Sequence, residues 1–285
     1  MTIVTSPLAT LEDFRACENL QQQLLGDKAR CILTLPALAA IRRSGGLLLG
    51  AWEEGARPTL RGALVDLVAE ADARRARFTV FLGVRRDSAN SGIGQSLRRA
   101  ERTACVEAGA ELVYWWADPL RSEEAHIAFN RLGAIAVAHC RNALGPLTDR
   151  LNAGLATDRL RVEWWLHAPR VEALIDNARE PAHRSLAFDQ MQVITQTKGR
   201  PQGQRAIAGL GEGPTKRFVL VEIPTDIASL LDRDPEAARR WRLTIRDAFE
   251  LLFSVGYTIV GFVHEGGRSF HLLEHADRGE ILGRS

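Results

Sequence analysis

A short loop bounded by glycines carries the most distinctive chemistry of this sequence. The loop contains Gly92-Ile93-Gly94, and a helix-like pattern begins there. The first turn of a helix leaves backbone N–H groups without intrahelical acceptors at the positive end of the helix dipole. Glycine lets an anion approach such groups closely because it has no Cβ. The pattern therefore predicts that the loop binds a pyrophosphate through Asn90, Ser91, Gly92, Ile93, Gly94 and Gln95.

The alternative interpretation of this loop is an ordinary strand-to-helix turn, because a Gly-x-Gly pattern alone is weak. The β-like run Phe78–Val84 precedes the loop, and a second apolar run, Leu112–Ala117, follows the helix. Three basic residues near the loop, Arg85, Arg86 and Arg98, are candidates for charge-assisted contacts to phosphate. The order strand, glycine loop, helix, strand places the predicted anion site beside the edges of strands.

The composition excludes several classes of protein. The chain has 285 residues, enough for one large domain or two ordinary ones, and a formal net charge of +2. Such a balance argues against a nucleic-acid-binding protein. No apolar run is long enough for a membrane span, and no signal peptide opens the sequence. The cysteines show no disulfide or metal-ligand spacing. We therefore expect a soluble, cytoplasmic protein with neither nucleic-acid nor membrane partners.

The elements around the loop follow from hydrophobic periodicity and from turn residues. Thr10 and Asp13 predict a helix start, and Gly26 its end. The helix after the loop has an apolar face that includes Leu97, and Arg98 is expected to point away from it. The predicted order is a helix over 11–26, a helix at PALAAIRRSGG, strands GLLLGAW and RGALVDLVA, the charged connection AEADARRAR, then strand 78–84, helix 94–108, strand 112–117, helix 122–132 and strands 134–140 and 161–167.

The last third of the chain has a different pattern. Its segment from Lys198 to Lys216 is rich in glycine, proline and glutamine and is expected to be a long exposed loop or a partly ordered flap. The remaining predicted elements are strand 188–195, strand 218–223, helix 235–255 and paired strands 257–264 and 269–274 around Glu265-Gly266-Gly267. We expect an accessory α/β domain here.

The order of elements over about Leu11–His167 resembles the GNAT fold of acetyl-CoA-dependent N-acyltransferases. Gly92-Ile93-Gly94 fits the second half of that family's Q/R-x-x-G-x-G/A signature. Later landmarks also agree, namely Asp118-Pro119, Ala125, Phe129 and Leu132-Gly133. The segments NAGLATDRLRVEWWL, VEIPTDI and WRLTIRDAF look like a subgroup of long predicted acetyltransferases with a C-terminal extension.

The resemblance implies an α/β (α+β) fold class, with a GNAT-like mixed sheet flanked by helices and a second, smaller α/β domain. The domains expected are a GNAT-like acyl-CoA domain at 1–168, a linker helix at 169–185 and an accessory domain at 186–285. The implied reaction is direct transfer of an acyl group from acetyl-CoA, or another acyl-CoA, to an amine of a small molecule. Backbone N–H groups of the strand before the loop, at Gly83 and Val84, would polarise the thioester carbonyl.

An acceptor amine must lose a proton in such a reaction, so a carboxylate is useful as a general base. The candidates are Asp118, at the end of a strand, and Glu163, in the strand RVEWWLH. Both have a plain alternative, because Asp before Pro commonly organises a turn and a strand Glu alternating with apolar residues often faces solvent. His139 shows no spacing that defines a catalytic triad.

Three positions depart from the family pattern. Ala89 stands where the family has Gln or Arg, and Ser122 and Phe129 stand where many members have Asn and an acid-donating Tyr. Phe cannot donate a proton to the leaving thiolate. The alternative function is therefore a catalytically silent GNAT-like module that binds CoA or a partner.

Two further clusters contain residue types that occur in binding sites. Arg242 and Arg246 lie one helical turn apart and could hold an anionic acceptor, although such residues more often form surface ion pairs. His264 and His271 do not have zinc-ligand spacing, so no metal site is predicted. An oligomer is possible, and the sequence does not decide it.

Overall fold

The computed structural model describes residues 2–26, 29–88, 91–149, 152, 154–176, 180, 186–199 and 205–283. The chain divides into two compact units. The first contains Met1–Trp115 and Leu147–Ala153, and the second contains Trp116–Pro146 and Gly154–Ser285. The domain boundaries predicted from the sequence remain a prediction.

The first unit is a mostly antiparallel sheet with helices on both faces. Its elements are β1 (Ile3–Pro7), α1 (Leu11–Leu25), α2 (Leu35–Arg43), β2 (Leu47–Glu53), β3 (Thr59–Ala71), β4 (Arg74–Val84), α3 (Ile93–Glu107) and the start of β5 (Leu112–Ala117). The strand order is β1-β2-β3-β4-β5, and only the β4–β5 pair is parallel. Neighbouring strand residues point to opposite faces. Leu48 therefore packs with α1 and α2, whereas Leu49 packs with α3.

The local signals at α1 are confirmed. The Thr10 side chain accepts from the Asp13 amide at 3.1 Å, and Asp13 Oδ2 accepts from the Thr10 amide at 2.9 Å. These reciprocal bonds form a capping box, and Gly26 ends the helix as predicted.

The predicted charged connection between the second and third strands is wrong. β3 and β4 instead form one long hairpin that turns at Asp72 and Ala73, both with positive φ (52° and 56°). Two central residues with positive φ match the right-handed twist of the paired strands. The turn contains no glycine, so it lacks the residue that usually indicates such a turn.

The second unit contains the end of β5 and all later elements except Leu147–Ala153. They are α4 (Ser122–Ala125), continued by a π-helical turn (His126–Arg131), β6 (Ile135–Cys140), β7 (Arg159–Trp165), α5 (Pro169–Ile175), β8 (Gln192–Val193), β9 (Thr195–Gly199), β10 (Arg205–Leu210), β11 (Phe218–Ile223), α6 (Ile227–Arg233), α7 (Pro235–Ser254), β12 (Tyr257–Glu265), β13 (Arg268–His275) and α8 (Arg278–Leu282). The strand order is β7-β6-β12-β13-β11-β8.

Two expectations for this unit need correction. The segment predicted as a long loop contains most of a separate antiparallel hairpin, β9–β10. The strand predicted over 188–195 is reduced to the short β8, because a 3₁₀ turn occupies Phe188–Gln190. Polar strands such as TQTKG lack the apolar alternation by which strands are predicted.

The π-helical turn places Asn130 against β12. Asn130 Nδ2 donates to the Phe262 carbonyl at 2.7 Å, and Asn130 Oδ1 accepts from the Phe262 amide at 3.0 Å. The side chain thus pairs with a strand as a backbone amide would. Direct pairing between β6 and β12 is limited to Ala136 with Ile259.

The order of elements from α1 to β7 is the order predicted from the sequence. Two helices precede a strand pair, a third strand, the loop and α3, and β5, α4, β6 and β7 follow. The GNAT-like fold with a mixed sheet flanked by helices is therefore confirmed. In the described part of the chain, no helix combines the length and the apolarity needed to cross a membrane.

Candidate functional site

The N-terminus of α3 presents a row of backbone donors. Gly92 is the N-cap, with a left-handed φ of 81°, and no side chain caps the helix. The amides of Gly92, Ile93, Gly94 and Gln95, hereafter the four α3 amides, have no acceptor among the residues that the structure describes. The Ser91 amide instead donates to the Ser88 carbonyl at 3.3 Å. Unpaired amides at this end of a 15-residue helix are suited to an anion.

The two loop glycines have space beside them where a side chain would stand. Among the described residues, a Cβ on Gly92 would meet no atom within 4 Å, and one on Gly94 would meet only Val84 Cγ2, at 3.8 Å. Ser91 and Gly92 are exposed to solvent. A phosphate group therefore has both donors and room at this loop. Ala89 and Asn90, which belong to the predicted site, lie outside the described residues.

The three arginines expected near the phosphate differ in their surroundings. Arg85 pairs with Asp87 (Nη2 to Oδ2, 3.0 Å), and Arg61 pairs with the same oxygen at 3.0 Å. Hydrogen bonds from Arg85 and Ser88 lower the pKa of Asp87. Arg86 is exposed and has no ion-pair partner in the described part of the chain. Arg98 is buried, so the expectation that it points away from the core is wrong.

β4 and β5 separate near the loop. Their register runs from Ala76 with Leu112 to Thr79 with Trp115, and β4 continues to Val84. The β3–β4 register shifts at this level, so that Val80 is an extra residue in β4. A bulge bends the strand that contains it. The backbone of Val80–Val84 thus lies beyond the last β4–β5 pair.

Gly83 is packed more tightly than the loop glycines. A Cβ there would lie 2.6 Å from both Leu24 Cδ1 and the Phe81 ring. Glycine is therefore the residue that fits this point of β4. The predicted role of the Gly83 and Val84 amides toward a thioester carbonyl remains a prediction.

A buried charged cluster lies under α3. Glu101 accepts from Arg98 Nη1 through both carboxylate oxygens, at 2.9 and 2.8 Å, and from Thr79 Oγ1 at 2.9 Å. Arg98 Nη1 is also 2.9 Å from Thr79 Oγ1. Glu101 is fully buried, and Arg98 and Thr79 are each 6% exposed. The cluster joins the second turn of α3 to β4.

Asp66, on β3, completes this cluster as a second buried carboxyl group. Neither of its carboxyl oxygens accepts a hydrogen bond from a described donor, yet the group contacts Glu101. Burial, followed by the negative charge of Glu101, raises the pKa of Asp66 well above its ordinary value. We assign a proton to Asp66, because a protonated carboxyl can donate to Glu101, whereas two ionised carboxylates would repel each other. Arg98 then balances the charge of Glu101.

The guanidinium of Arg98 also covers an aromatic ring. Its Cζ lies 4.0 Å from the centroid of the Trp115 ring. A cation over an indole face is attracted by about 0.5–2 kcal/mol, and most strongly when it is shielded from water. Arg98 thus contacts β4 and β5 at once.

Asp118, in the second unit, forms a buried ion pair. Its Oδ2 accepts from Arg242 Nη2 at 2.8 Å, Arg159 Nη1 lies 3.7 Å away, and Oδ1 accepts from the Leu120 amide at 2.9 Å. Burial opposes ionisation, but the positive charge and hydrogen bond of Arg242 outweigh it and hold the pKa of Asp118 at about 2. So acidic a carboxyl is a weak proton acceptor. Its contacts favour a role in holding α7.

Glu163, in β7, is also buried, at 1% exposure. Its Oε2 accepts from Trp165 Nε1 at 3.1 Å, and Arg161 Nε lies 3.1 Å from Oε1. Arg278 Nη1 is 3.5 Å from Oε2. The expectation that this side chain may face solvent is therefore wrong. Asp118 and Glu163 have different partners and do not form a carboxylate pair.

Ser122 in α4 and Phe129 in the π-helical turn, which depart from the family pattern, both contact other parts of the protein. Ser122 Oγ donates to the Thr225 carbonyl at 2.6 Å. Phe129 is 1% exposed and packs edge-on against His271, with ring centroids 5.8 Å apart. His271 is itself fully buried, and burial lowers its pKa to about 4. Where many members of the family have a Tyr hydroxyl that donates a proton, this protein therefore has the buried aromatic ring of Phe129.

Arg242 and Arg246 bind carboxylates of the protein itself. Arg246 donates to Asp158 through Nε and Nη2, at 2.8 and 2.9 Å, while Arg242 holds Asp118. Both residues form ion pairs, as the alternative interpretation expected, but Arg242 does not lie on a solvated face, since it is 2% exposed. His139 lies 3.9 Å from Asp158, too far for a hydrogen bond.

The cluster under α3 was missed in the sequence. One signal was available, because Asp66 interrupts the apolar run GALVDLVA and Arg98 and Glu101 stand three residues apart on the following helix. A lone carboxylate in an apolar strand calls for a buried partner. The described residues contain no group of three or more His, Cys, Asp or Glu side chains placed to hold a metal ion.

No protein-family model and no curated protein matches the sequence. Solved structures are similar to part of the chain. The ribosomal-protein-S18-alanine N-acetyltransferase from Escherichia coli is 14% identical, with a TM-score of 0.44, over 57% of this chain and 92% of that chain. A chain of the NatC complex bound to Gag peptide and CoA is 15% identical, with a TM-score of 0.48, over 57% and 98%.

A third similar structure is an aminoglycoside acetyltransferase from an uncultured soil metagenomic sample, in complex with sisomicin. It is 22% identical, with a TM-score of 0.37, over 41% of this chain and 78% of that chain. The similar structures are thus acetyltransferases. The order of elements in this chain is what establishes its GNAT-like fold.

Proposed function

We propose that the protein is an acyl-CoA-dependent N-acyltransferase that acts on an amine of a small molecule. The observation that carries the proposal is the row of four α3 amides without a described acceptor, at a loop whose glycines have space around their Cβ positions. Hydrogen bonds from these amides would hold the pyrophosphate of the acyl-CoA substrate. The amine acceptor, the acetyl group and a cytoplasmic location follow from the resemblance and composition.

The reaction proposed is direct transfer. The amine nitrogen attacks the thioester carbonyl, the C–N bond forms, and the C–S bond breaks to release CoA. Backbone amides near Gly83 and Val84 would stabilise the oxyanion. The proton of the amine passes to a base, for which Asp118 and Glu163 remain predictions. The contacts of both carboxylates with arginine oppose that role.

A second candidate function is a catalytically silent module that binds acyl-CoA. The buried Phe129 and the bond between Ser122 and Thr225 favour it, because neither side chain is placed to donate a proton. The two functions differ in turnover. An acyltransferase releases free CoA thiol when acetyl-CoA is mixed with a panel of amines, whereas the module binds acetyl-CoA without release above the rate in buffer.

A charge placed at Gly94 tests the binding site. Gly94→Glu is expected to weaken acetyl-CoA binding at least about tenfold, because a carboxylate would stand beside the bound phosphates. Gly94→Gln is the matched control and should change the dissociation constant less than about threefold. A side chain fits at Gly94 without strain, since a Cβ there meets only Val84. Isothermal titration calorimetry measures both. Equal affinities for the two variants would contradict the assigned site.

A further inference from the structure

Arg98 occupies the point at which β4 and β5 separate. The last pair in their register is Thr79 with Trp115. Arg98 contacts both residues, through Nη1 to Thr79 Oγ1 at 2.9 Å and through the face of the Trp115 ring at 4.0 Å. One side chain of α3 therefore holds the two strands at the end of their pairing.

The same side chain is fixed on its own helix. Glu101, one turn later, binds Arg98 Nη1 through both oxygens, and Asp66 lies against Glu101 from β3. The cluster contains one guanidinium and two carboxyl groups, all at most 6% exposed. It is neutral only while one carboxyl keeps its proton. The hydrogen-bond pattern puts that proton on Asp66, since Glu101 already accepts from Arg98 and Thr79.

We infer that Arg98 is a positioning residue for acyl-CoA, and that the protonated Asp66–Glu101 pair holds it in place. Arg98 fixes the point beyond which the backbone of β4, at Val80–Val84, is no longer paired with β5. It also holds α3, whose N-terminus carries the four α3 amides, against β4 and β5. The inference takes its ligand, acyl-CoA, from the proposed function. The role of Arg98 in holding α3, β4 and β5 together does not depend on that function.

The inference includes a dependence on pH. Loss of the Asp66 proton would place two negative charges beside one guanidinium in a site without water-exposed groups. The groups that face Asp66 are Glu101, Arg98 and Cys105 on α3, and Thr79 on β4, with Arg77 of β4 beside Cys105. Burial raises the pKa of Cys105, so this thiol stays neutral over the same range. Deprotonation of Asp66 as the pH rises should therefore loosen α3 and weaken acyl-CoA binding.

Calorimetric titration of acetyl-CoA tests the inference with Arg98→Met and with Arg99→Met as the matched control. Arg99 is the next residue of α3 and is exposed. Arg98→Met should weaken binding about tenfold or more, and Arg99→Met less than about twofold. Asp66→Asn, which keeps a neutral donor, should abolish the loss of affinity that the wild type shows as the pH is raised through the ionisation of Asp66. An unchanged pH profile in Asp66→Asn, or equal affinities for the two arginine variants, would overturn the inference.

Amide hydrogen exchange separates this inference from the proposed function, because it needs no ligand. Exchange in Val80–Val84 and the first turns of α3 should be about tenfold faster in Arg98→Met than in Arg99→Met. If Arg98→Met does not fold, Thr79→Val removes one contact of Arg98 and should accelerate the same amides. No acetyl-CoA binding by the wild type would contradict the proposed function. Unchanged exchange would overturn the positioning role by itself.

Discussion

Arg242→Met is expected to lower the free energy of unfolding by about 3–5 kcal/mol, the usual cost of breaking a buried ion pair from one side. Arg242 Nη2 lies 2.8 Å from Asp118 Oδ2, and the two residues are 2% and 7% exposed. In the variant Asp118 would retain the Leu120 amide, and its nearest described arginine would be Arg159, at 3.7 Å. The buried negative charge of Asp118 would then lack the arginine that lies closest to it.

Urea denaturation of the wild type and the variant measures this loss. The matched control is Arg240→Met, because Arg240 is exposed on the same helix, and its effect should stay within about 0.5 kcal/mol. The double variant Arg242→Met/Asp118→Asn should recover part of the loss, because it removes the unpaired charge. A loss below about 1 kcal/mol in Arg242→Met would show that Arg159 alone compensates Asp118.

Asp66→Asn is expected to change how stability depends on pH. The folded-state pKa of Asp66 is raised, so the folded protein keeps a proton that the unfolded chain releases above about pH 4. The free energy of unfolding of the wild type therefore carries a term that falls as pH rises, by about 1.4 kcal/mol per pH unit, until the folded-state pKa is reached. Asp66→Asn removes that term.

Chemical denaturation at pH 5, 6 and 7 measures the difference between Asp66→Asn and the wild type. The variant should gain stability relative to the wild type as the pH rises through this interval, because the wild type loses the stabilising effect of the proton that folded Asp66 retains. Glu70→Gln, also on β3 but exposed at the surface, serves as the control and should show no such trend. A constant difference across the interval would mean that Asp66 is already ionised in the folded protein.

The elements around the loop could be predicted because their signals are local. Thr10, Asp13 and Gly26 mark the ends of α1, and periodicity and turn residues indicated β2, α3 and β5 within one or two residues. The turn at Asp72 and Ala73 could not be predicted, because both residues adopt a positive φ and neither is a glycine. The β9–β10 hairpin could not be predicted from the sequence. Its strands are paired through backbone hydrogen bonds, and they lack the alternating apolar residues by which a strand is recognised.

The environment of a charged side chain was the least predictable property. Arg98, Arg242, Asp118 and Glu163 were all expected at a ligand or at the surface, and each is buried against an opposite charge. The pair of Asp118 and Arg242 joins residues far apart in the sequence, so no local pattern indicates it. Arg98 and Glu101 are only three residues apart, but their spacing does not show that they are buried. The glycine loop was more predictable because its chemistry belongs to the backbone.

Comparison of acetyl-CoA with acetyl-pantetheine is the most direct test of the central claim that the four α3 amides hold a pyrophosphate. The two ligands share the thioester arm, but only acetyl-CoA carries phosphates. Calorimetric titration of the wild type should give a dissociation constant for acetyl-CoA at least about 100-fold below that for acetyl-pantetheine, and Gly94→Glu should reduce this ratio. Equal affinities, or no binding of acetyl-CoA at millimolar concentration, would contradict the account.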